Sequence, residues 1–172
     1  LERFKIQRVL ANGEVVGGSG SQAIQSPEYP AGYFNTMHSD REQPVSEEQI
    51  YITVPKEAHQ ANVVVMNLDP TQVRSRREAS LSVRAGRIMP DASQGINYIS
   101  VTDRHSGLCK TASAFISGFG LQKGAFATSL SPDDDNVICI GADAGDMVAA
   151  INHLFKIGGG QVVVEDGQVR VN

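Results

Sequence analysis

Between Arg104 and Val164 the chain reads R-H-S-G at Arg104–Gly107, G-F-G-L-Q-K-G-A at Gly118–Ala125 and S-P-D-D-D-N at Ser131–Asn136, and closes with G-G-G-Q-V-V-V at Gly158–Val164. Glycine recurs at the junctions of apolar segments, where the backbone must turn tightly or admit a close neighbour. Most of those segments are short. Residues 125–130 and 137–141 read as strands on either side of the Pro132–Asn136 turn. One segment differs in period: Met147, Val148, Ile151, Leu154 and Phe155 form a single apolar stripe, which predicts a helix over 144–157. Asp143 suits its N-cap, Asp146 its positive first turn, Lys156 its last turn and Gly158 a left-handed end. A hairpin follows, Val162–Val164 to Val169–Val171, turning at Asp166-Gly167.

Working upstream, Tyr98, Ile99 and Val101 mark a strand over 97–102. Residues 109–117 are ambiguous, with small residues around Phe115 and Ile116, and the balance leans to helix. Residues 81–89 read as a hairpin turning at Ala85-Gly86. The run Val63–Met66 predicts a strand over 62–68 buried on both faces, and Ile50, Ile52 and Val54 predict another over 50–54. Residues 21–45 hold Pro27, Pro30 and Pro44 and read as an irregular connection, with Tyr29, Tyr33 and Phe34 expected to pin it. Residues 1–20 read as a hairpin: Phe4, Ile6, Val9 and Leu10, the Asn12-Gly13 turn, then Val15-Val16. The predicted fold class is α+β, a mixed, sheet-rich domain with few helices.

Composition narrows the functional classes. With 172 residues, 41% hydrophobic and 20% charged, the chain suits one globular domain and is too short to add a (β/α)8 barrel. A net charge of -4 and a pI near 5.5 argue against a nucleic-acid surface. Arg74, Arg76 and Arg77, followed by Glu78, read as a solvated turn or helix end. Cys109 and Cys139 have no companion ligands and are expected to be buried and reduced. No apolar run approaches the ~20 residues of a membrane span, and no signal peptide is visible. The expected location is the cytoplasm, with neither nucleic acid nor membrane as partner. A start at Leu1 rather than Met reads as a piece of a longer protein.

Four histidines, His38, His59, His105 and His153, show neither H-x-H nor H-E-x-x-H spacing, so no metal site is expected in this chain. His38 and His59 read as solvated, and His153 as lying at the helix edge. Two clusters remain. Asp133, Asp134 and Asp135 with Asn136 could bind a cation or offer carboxylates to a neighbouring site, or be a solvated turn whose side chains bond their own backbone. Asp103, Arg104 and His105 could be a site at a strand end, Arg104 gripping a carboxylate and His105 titrating near neutrality, or a structural Arg–Asp pair. The Gly118–Gly124 pattern lacks the spacing of a dinucleotide fingerprint and reads as close backbone packing. Ser113, Ser117 and Ser129 lack a nucleophile motif.

The order of these blocks resembles the C-terminal domain of bacterial adenine deaminases, in the amidohydrolase superfamily. The resemblance rests on R-H-S-G, on G-F-G-L-Q-K-G-A-F-A-T-S at Gly118–Ser129, on Asp146-Met147 before A-A-I-N, and on I-G-G-G-Q-V-V-V-E-D-G at Ile157–Gly167. It covers most of the chain and is densest after residue 103. F-K-I-Q-R-V-L-A-N-G-E-V-V at Phe4–Val16 resembles the return from barrel to small β-sandwich in amidohydrolases. The resemblance thus implies three parts: residues 1–20 as a sandwich hairpin, 21–45 as a connection, and 46–172 as the adenine-deaminase-type domain, truncated at its end.

What the resemblance implies for function is a metal-dependent hydrolase of purine metabolism, turning adenine and water into hypoxanthine and ammonia. Its divalent metal, manganese or iron, would lie in a barrel domain outside this chain and make hydroxide near pH 7. The barrel, the purine substrate and a homodimer are the partners implied, and the isolated chain is expected to be inactive. Arg104, His105, Asp133, Asp134, Asp135 and Asn136 are the candidates for facing the pocket. Family members carry a turn resembling H-D-S-H-N where this chain has Pro132–Asn136. Asp133 and Asn136 match, whereas Pro132 and Asp135 replace histidines. Those replacements favour the alternative, a non-catalytic binding or oligomerisation module that kept the fold.

Overall fold

Most segments with a two-residue apolar period form strands here, and the one segment with a 3.6-residue period forms the helix. The structure, a computed structural model, describes residues 8–11, 13–18, 37, 44–69, 71, 74–106, 108–133 and 135–172. The chain divides into two compact units, Leu1–Phe34 and Asn35–Asn172. In the first, β1 (Arg8–Ala11) and β2 (Glu14–Gly18) pair antiparallel, with Gly13 at φ 82° in the turn. Phe4, Ile6, Asn12, Pro27, Tyr29, Pro30, Tyr33, Phe34 and His38 lie outside the described residues.

The second unit contains β3 (Gln60–Asn67), β4 (Ser75–Arg84), β5 (Arg87–Ile88), β6 (Ile96–Thr102), β7 (Thr111–Ser117), β8 (Ala125–Thr128) and β9 (Val137–Gly141). The helix α1 (Ala144–Ile157), β10 (Gln161–Glu165) and β11 (Gln168–Val171) complete it. Among the described residues these nine strands make one mixed sheet, ordered β11-β10-β8-β9-β6-β7-β3-β4-β5. Every neighbouring pair is antiparallel except β3 and β7. The sheet-rich α+β class expected from sequence is the one observed.

Because β6 and β9 lie between β7 and β8, the chain from Ser117 to Ala125 must cross the ends of two strands. Gly118 and Gly124 make that crossing possible. Both hold left-handed backbone, φ 93° and 76°, and an added Cβ would lie 2.3 Å from the Leu68 carbonyl oxygen or 2.6 Å from that of Val164. Close packing, expected from the glycine spacing, is what these residues serve. Asn97, buried on β6, donates from Nδ2 to the Leu121 carbonyl at 2.9 Å and ties the crossing to the sheet.

One face of the sheet receives α1. Register aligns Val162, Ala127 and Cys139, and beside them Val164, Ala125, Gly141 and Tyr98. Small side chains let the helix come close: a Cβ on Gly141 would sit 2.3 Å from Met147 Cγ. Met147, Ile151, Leu154 and Phe155 are buried there, each contributing about 1.5–3 kcal/mol of apolar transfer free energy. Asp143 caps the helix, its carboxylate accepting the Asp146 amide at 2.9 Å. Asp146 in turn accepts the amides of Asp166 at 3.1 Å and Gly167 at 2.7 Å, so the β10–β11 turn hangs on the helix start. Burial, reinforced by the Asp146 charge, pushes the Asp143 carboxyl above the ordinary aspartate range.

The rest of this face is closed by residues 44–54. Asn152 on α1 holds Val45 by both backbone groups, at 3.0 and 2.9 Å, and Gln49 donates to the Cys109 carbonyl at 3.1 Å. Tyr98 stacks on Phe115 with centroids 5.5 Å apart and donates its hydroxyl to the Ile88 carbonyl at 2.5 Å. Cys109 and Cys139 are buried, as expected, and burial pushes the Cys139 thiol far up.

Four expectations are corrected. Residues 109–117 are not helical: Thr111–Ser117 is a central strand paired on both sides, by β6 and β3. Its alternation is written in Thr, Ala and Ser, whose hydrophobic contrast is too slight to show a period. Residues 50–54 form no strand. Ile50 closes a 3-10 turn at Glu47–Gln49, and only Thr53 makes a bridge, to Arg87, before Pro55. The strand predicted over 62–68 runs from Gln60 to Asn67 and is not buried on both faces, since Val64 is 53% exposed. Arg76 and Arg77 lie within β4 rather than at a turn or helix end. Arg76 pairs with Glu78 at 3.1 Å, and Arg77 donates to the Gln94 carbonyl at 3.3 Å.

Gly118→Ala combines a left-handed backbone with an overlap on a carbonyl, and is expected to cost about 2–4 kcal/mol. Gly141→Ala, which only crowds Met147, is expected to cost about 1–3 kcal/mol. Urea denaturation of each variant against the parent sequence reads both. A Gly118→Ala loss under about 1 kcal/mol would show that the crossing relaxes freely.

Candidate functional site

Sheet topology brings three connections to one end of the domain. β6 and β8 end there, and β7, β9 and β10 begin there. The connections are residues 103–110, residues 129–136 and Gly158–Gly160. They are stitched by Ser129, whose amide donates to the Gly160 carbonyl at 2.9 Å and whose Oγ accepts the Gly160 amide at 2.8 Å.

Here both sequence-predicted clusters meet. Arg104 is largely buried, with 13% of its side chain exposed, while the Asp135 side chain is 66% exposed. An Nη2 to Oδ1 distance of 3.6 Å joins them. Arg104 Nη1 also donates to the Ser129 carbonyl at 3.4 Å and lies 3.9 Å from Met37 Sδ. Its Nε is buried and has no hydrogen-bond acceptor among the described residues. His105 Nε2 bonds the Asp135 carbonyl at 3.0 Å. Asp135 holds φ 55°, the left-handed region that Asp, Asn and His enter most readily among non-glycine residues, and its amide donates to Ser131 at 2.7 Å.

Asp103 organises the turn before it. Its carboxylate accepts the His105 amide at 2.9 Å, the Ser106 amide at 3.3 Å and the Ser106 hydroxyl. The Ser106 hydroxyl most of all, then those amides and the nearby imidazole, hold the Asp103 carboxyl below its ordinary value. So Asp103 orients the loop and pairs with His105 and Ser106, while Arg104 turns to Asp135. The Arg–Asp pair expected within Asp103–His105 forms across two loops instead. Asp133 is exposed and Asn136 half-buried in the same connection, and Asp134 lies outside the described residues.

Met37, Ser129 and Gly160 were not legible as site residues; only topology brings them here. Leu108 and Leu130, each 66% exposed, flank the polar centre with apolar surface. His59 is exposed, as expected, and His153 lies half-buried on α1, 3.1 Å from Asn172. Among the described residues no group of three or more His, Cys, Asp or Glu side chains is placed to hold a metal ion. No described helix is long and apolar enough to cross a membrane. The arrangement can present a guanidinium, an imidazole and carboxylates from a rigid sheet end to whatever docks against it.

Comparison with known proteins matches residues 71–172 to the family model of the adenine deaminase C-terminal domain. The chain is 40% identical to adenine deaminase 4 of Rhizobium meliloti over 173 residues, covering 98% of this chain and 28% of that protein. It is 36% identical over 171 residues to adenine deaminase 1 of Desulfotalea psychrophila and to adenine deaminase 1 of Latilactobacillus sakei, with the same coverage. The chain thus spans 28% of the length of these relatives.

The lowered Asp103 carboxyl has a pH signature. A folded value below the unfolded one contributes stability above the unfolded value, and this is lost as pH falls through the folded value. Asp103→Asn is therefore expected to be less stable than the parent sequence near pH 7, with the gap narrowing at a pH below the ordinary aspartate range. Urea midpoints at the two pH values check this; an unchanged gap at low pH would exclude the carboxylate as its source.

Proposed function

The chain belongs to the adenine deaminase C-terminal domain family, and on that premise we propose that it serves a longer metal-dependent hydrolase converting adenine and water to hypoxanthine and ammonia. The supporting observation is the sheet end at which Arg104 and His105 meet Asp135, with Asp133 and Asn136 on the same connection and Leu108 and Leu130 exposed on theirs. In this reading that end faces the catalytic barrel and covers the substrate, the leucines sealing against the barrel while the polar centre meets the pocket mouth. Asp134 belongs to the same segment.

In this reading the divalent ion, manganese or iron, lies in the barrel. The contribution of this chain is shape and electrostatics. Arg104, shielded from water and held by Ser129 and Asp135, offers a fixed positive charge, and Asp103 sets the position of His105. Residues 1–20 are assigned to an amidohydrolase β-sandwich, 21–45 to the connection and 46–172 to the C-terminal domain. The expected setting is cytoplasmic purine metabolism, with a homodimer as a further assembly.

A second reading, a binding or oligomerisation module without deaminase chemistry, is favoured by the Asp135 carboxylate that lies 3.6 Å from Arg104 where the family carries histidine. Ammonia release from adenine by the longer parent polypeptide, purified with manganese, separates the two. Turnover is the expected result. A folded, metal-loaded parent that releases no ammonia overturns the first reading, and gain of turnover on Pro132→His with Asp135→His would identify the lost chemistry.

A further inference from the structure

The sheet face opposite α1 carries a row of apolar side chains that no described helix or strand of the second unit covers. Register sets Ala114, Ile99, Ile140, Phe126 and Val163 opposite one another across β7, β6, β9, β8 and β10. Val64 continues the row onto β3, one residue before the Val65–Phe115 pair. Ala112, Val101 and Ile138 run beside it. Among the described residues, the crossing loop contributes cover at one end, where Phe119 stacks on Phe126 with centroids 6.1 Å apart. Phe119 itself remains 42% exposed and Val163 36%.

Water alone does not account for this composition. A solvated sheet face alternates to polar residues, and β4 does so on this same face, with Arg76, Glu78, Ser80, Ser82 and Arg84 exposed. One face therefore changes from polar on β4 to apolar between β3 and β10, the anatomy of an interface core with a polar rim. At the boundary lies a concavity of about 450 Å3, lined by Val64, Met66 and Ala114 together with Arg74 and Arg76.

The opposite face is closed from within this chain, by α1 and residues 44–54, whereas relatives aligned over 98% of this chain carry it as only 28% of their length. We propose that the rest of the parent polypeptide seats on this open face, meeting the Ala114–Val163 row with an apolar surface and Arg74 and Arg76 with a carboxylate. This rests on the reading of the chain as one domain of a longer hydrolase.

Carbene footprinting of the 172-residue chain and of the parent polypeptide tests it. Val64, Phe126 and Val163 are expected to label at least about fivefold less in the parent, with Ser82 and Arg84 unchanged. Ala114→Lys, at an exposed strand position, is expected to restore their labelling in the parent without altering the melting of the isolated chain. Equal labelling in both proteins overturns the proposal. Protection that grows with concentration in the isolated chain also overturns it, and names a second copy as the occupant. The labelling needs no adenine: a protected but inactive parent removes the deaminase reading and leaves the seat, and an active but unprotected parent does the reverse.

Discussion

Gly118 leaves β7 against the carbonyl of Leu68, and Gly124 enters β8 against that of Val164; no residue with a Cβ fits either place without moving a backbone. Between them the chain steps over the ends of β6 and β9, which pair with each other inside the gap. The pairing of the candidate site residues depends on that step. Were β8 hydrogen-bonded directly to β7, Lys110 and Ser129 would be the neighbouring ends of the two connections; with β9 paired to β6, Asp103 and Asn136 are. Arg104 meets Asp135 because the crossing sets one hairpin beside the other with β9 against β6, which places Thr102 opposite Val137.

The two faces of the sheet then follow different rules. Ala125, Ala127 and Gly141 give α1 a shallow bed, so helix and sheet approach closely and Met147 fills the space that a side chain at 141 would occupy. Asp146 fixes the helix start to the last turn of the chain through two backbone amides, which links α1, β10 and β11 as one body. The opposite face is built from larger, branched residues such as Ile99, Ile140 and Val163, set in register as if to meet a second layer. Domains are packed layers around a core, and this sheet supplies one of its two layers from its own helix.

Much of this was legible in the residues. The helix at Ala144–Ile157 announced itself through period, cap and terminal glycine, and the hairpins turning at Asp166-Gly167 and Ala85-Gly86 through turn chemistry. What stayed hidden was written in small side chains. Thr111–Ser117 alternates faithfully in space, with Thr111, Ser113 and Phe115 towards the helix and Ala112 and Ala114 away, yet no hydrophobic contrast marks it. Arg76 and Arg77 looked like a basic turn because charge dominates the reading; in the strand they point to opposite faces, one to Glu78 and one to Gln94. Both candidate clusters were visible as sequence, but their meeting was not. Residues 104 and 135 are joined by topology, which no local pattern carries.

The Pro132–Asn136 turn separates what a backbone needs from what a site needs. Position 135 requires a left-handed residue, and aspartate meets that requirement as histidine would. Its amide, bonded to Ser131, and its carbonyl, bonded to His105, are the same groups in either case. The side chain is where the two differ. An imidazole can donate or accept a proton beside Arg104, whereas a carboxylate only accepts and carries a negative charge 3.6 Å from the guanidinium. Aspartate at 135 therefore serves the turn through its backbone and sets the local electrostatics through its carboxylate, 3.6 Å from the Arg104 guanidinium. Fold and surface charge thus draw on different atoms of the same residue, so the turn constrains the backbone at 135 more tightly than its side chain.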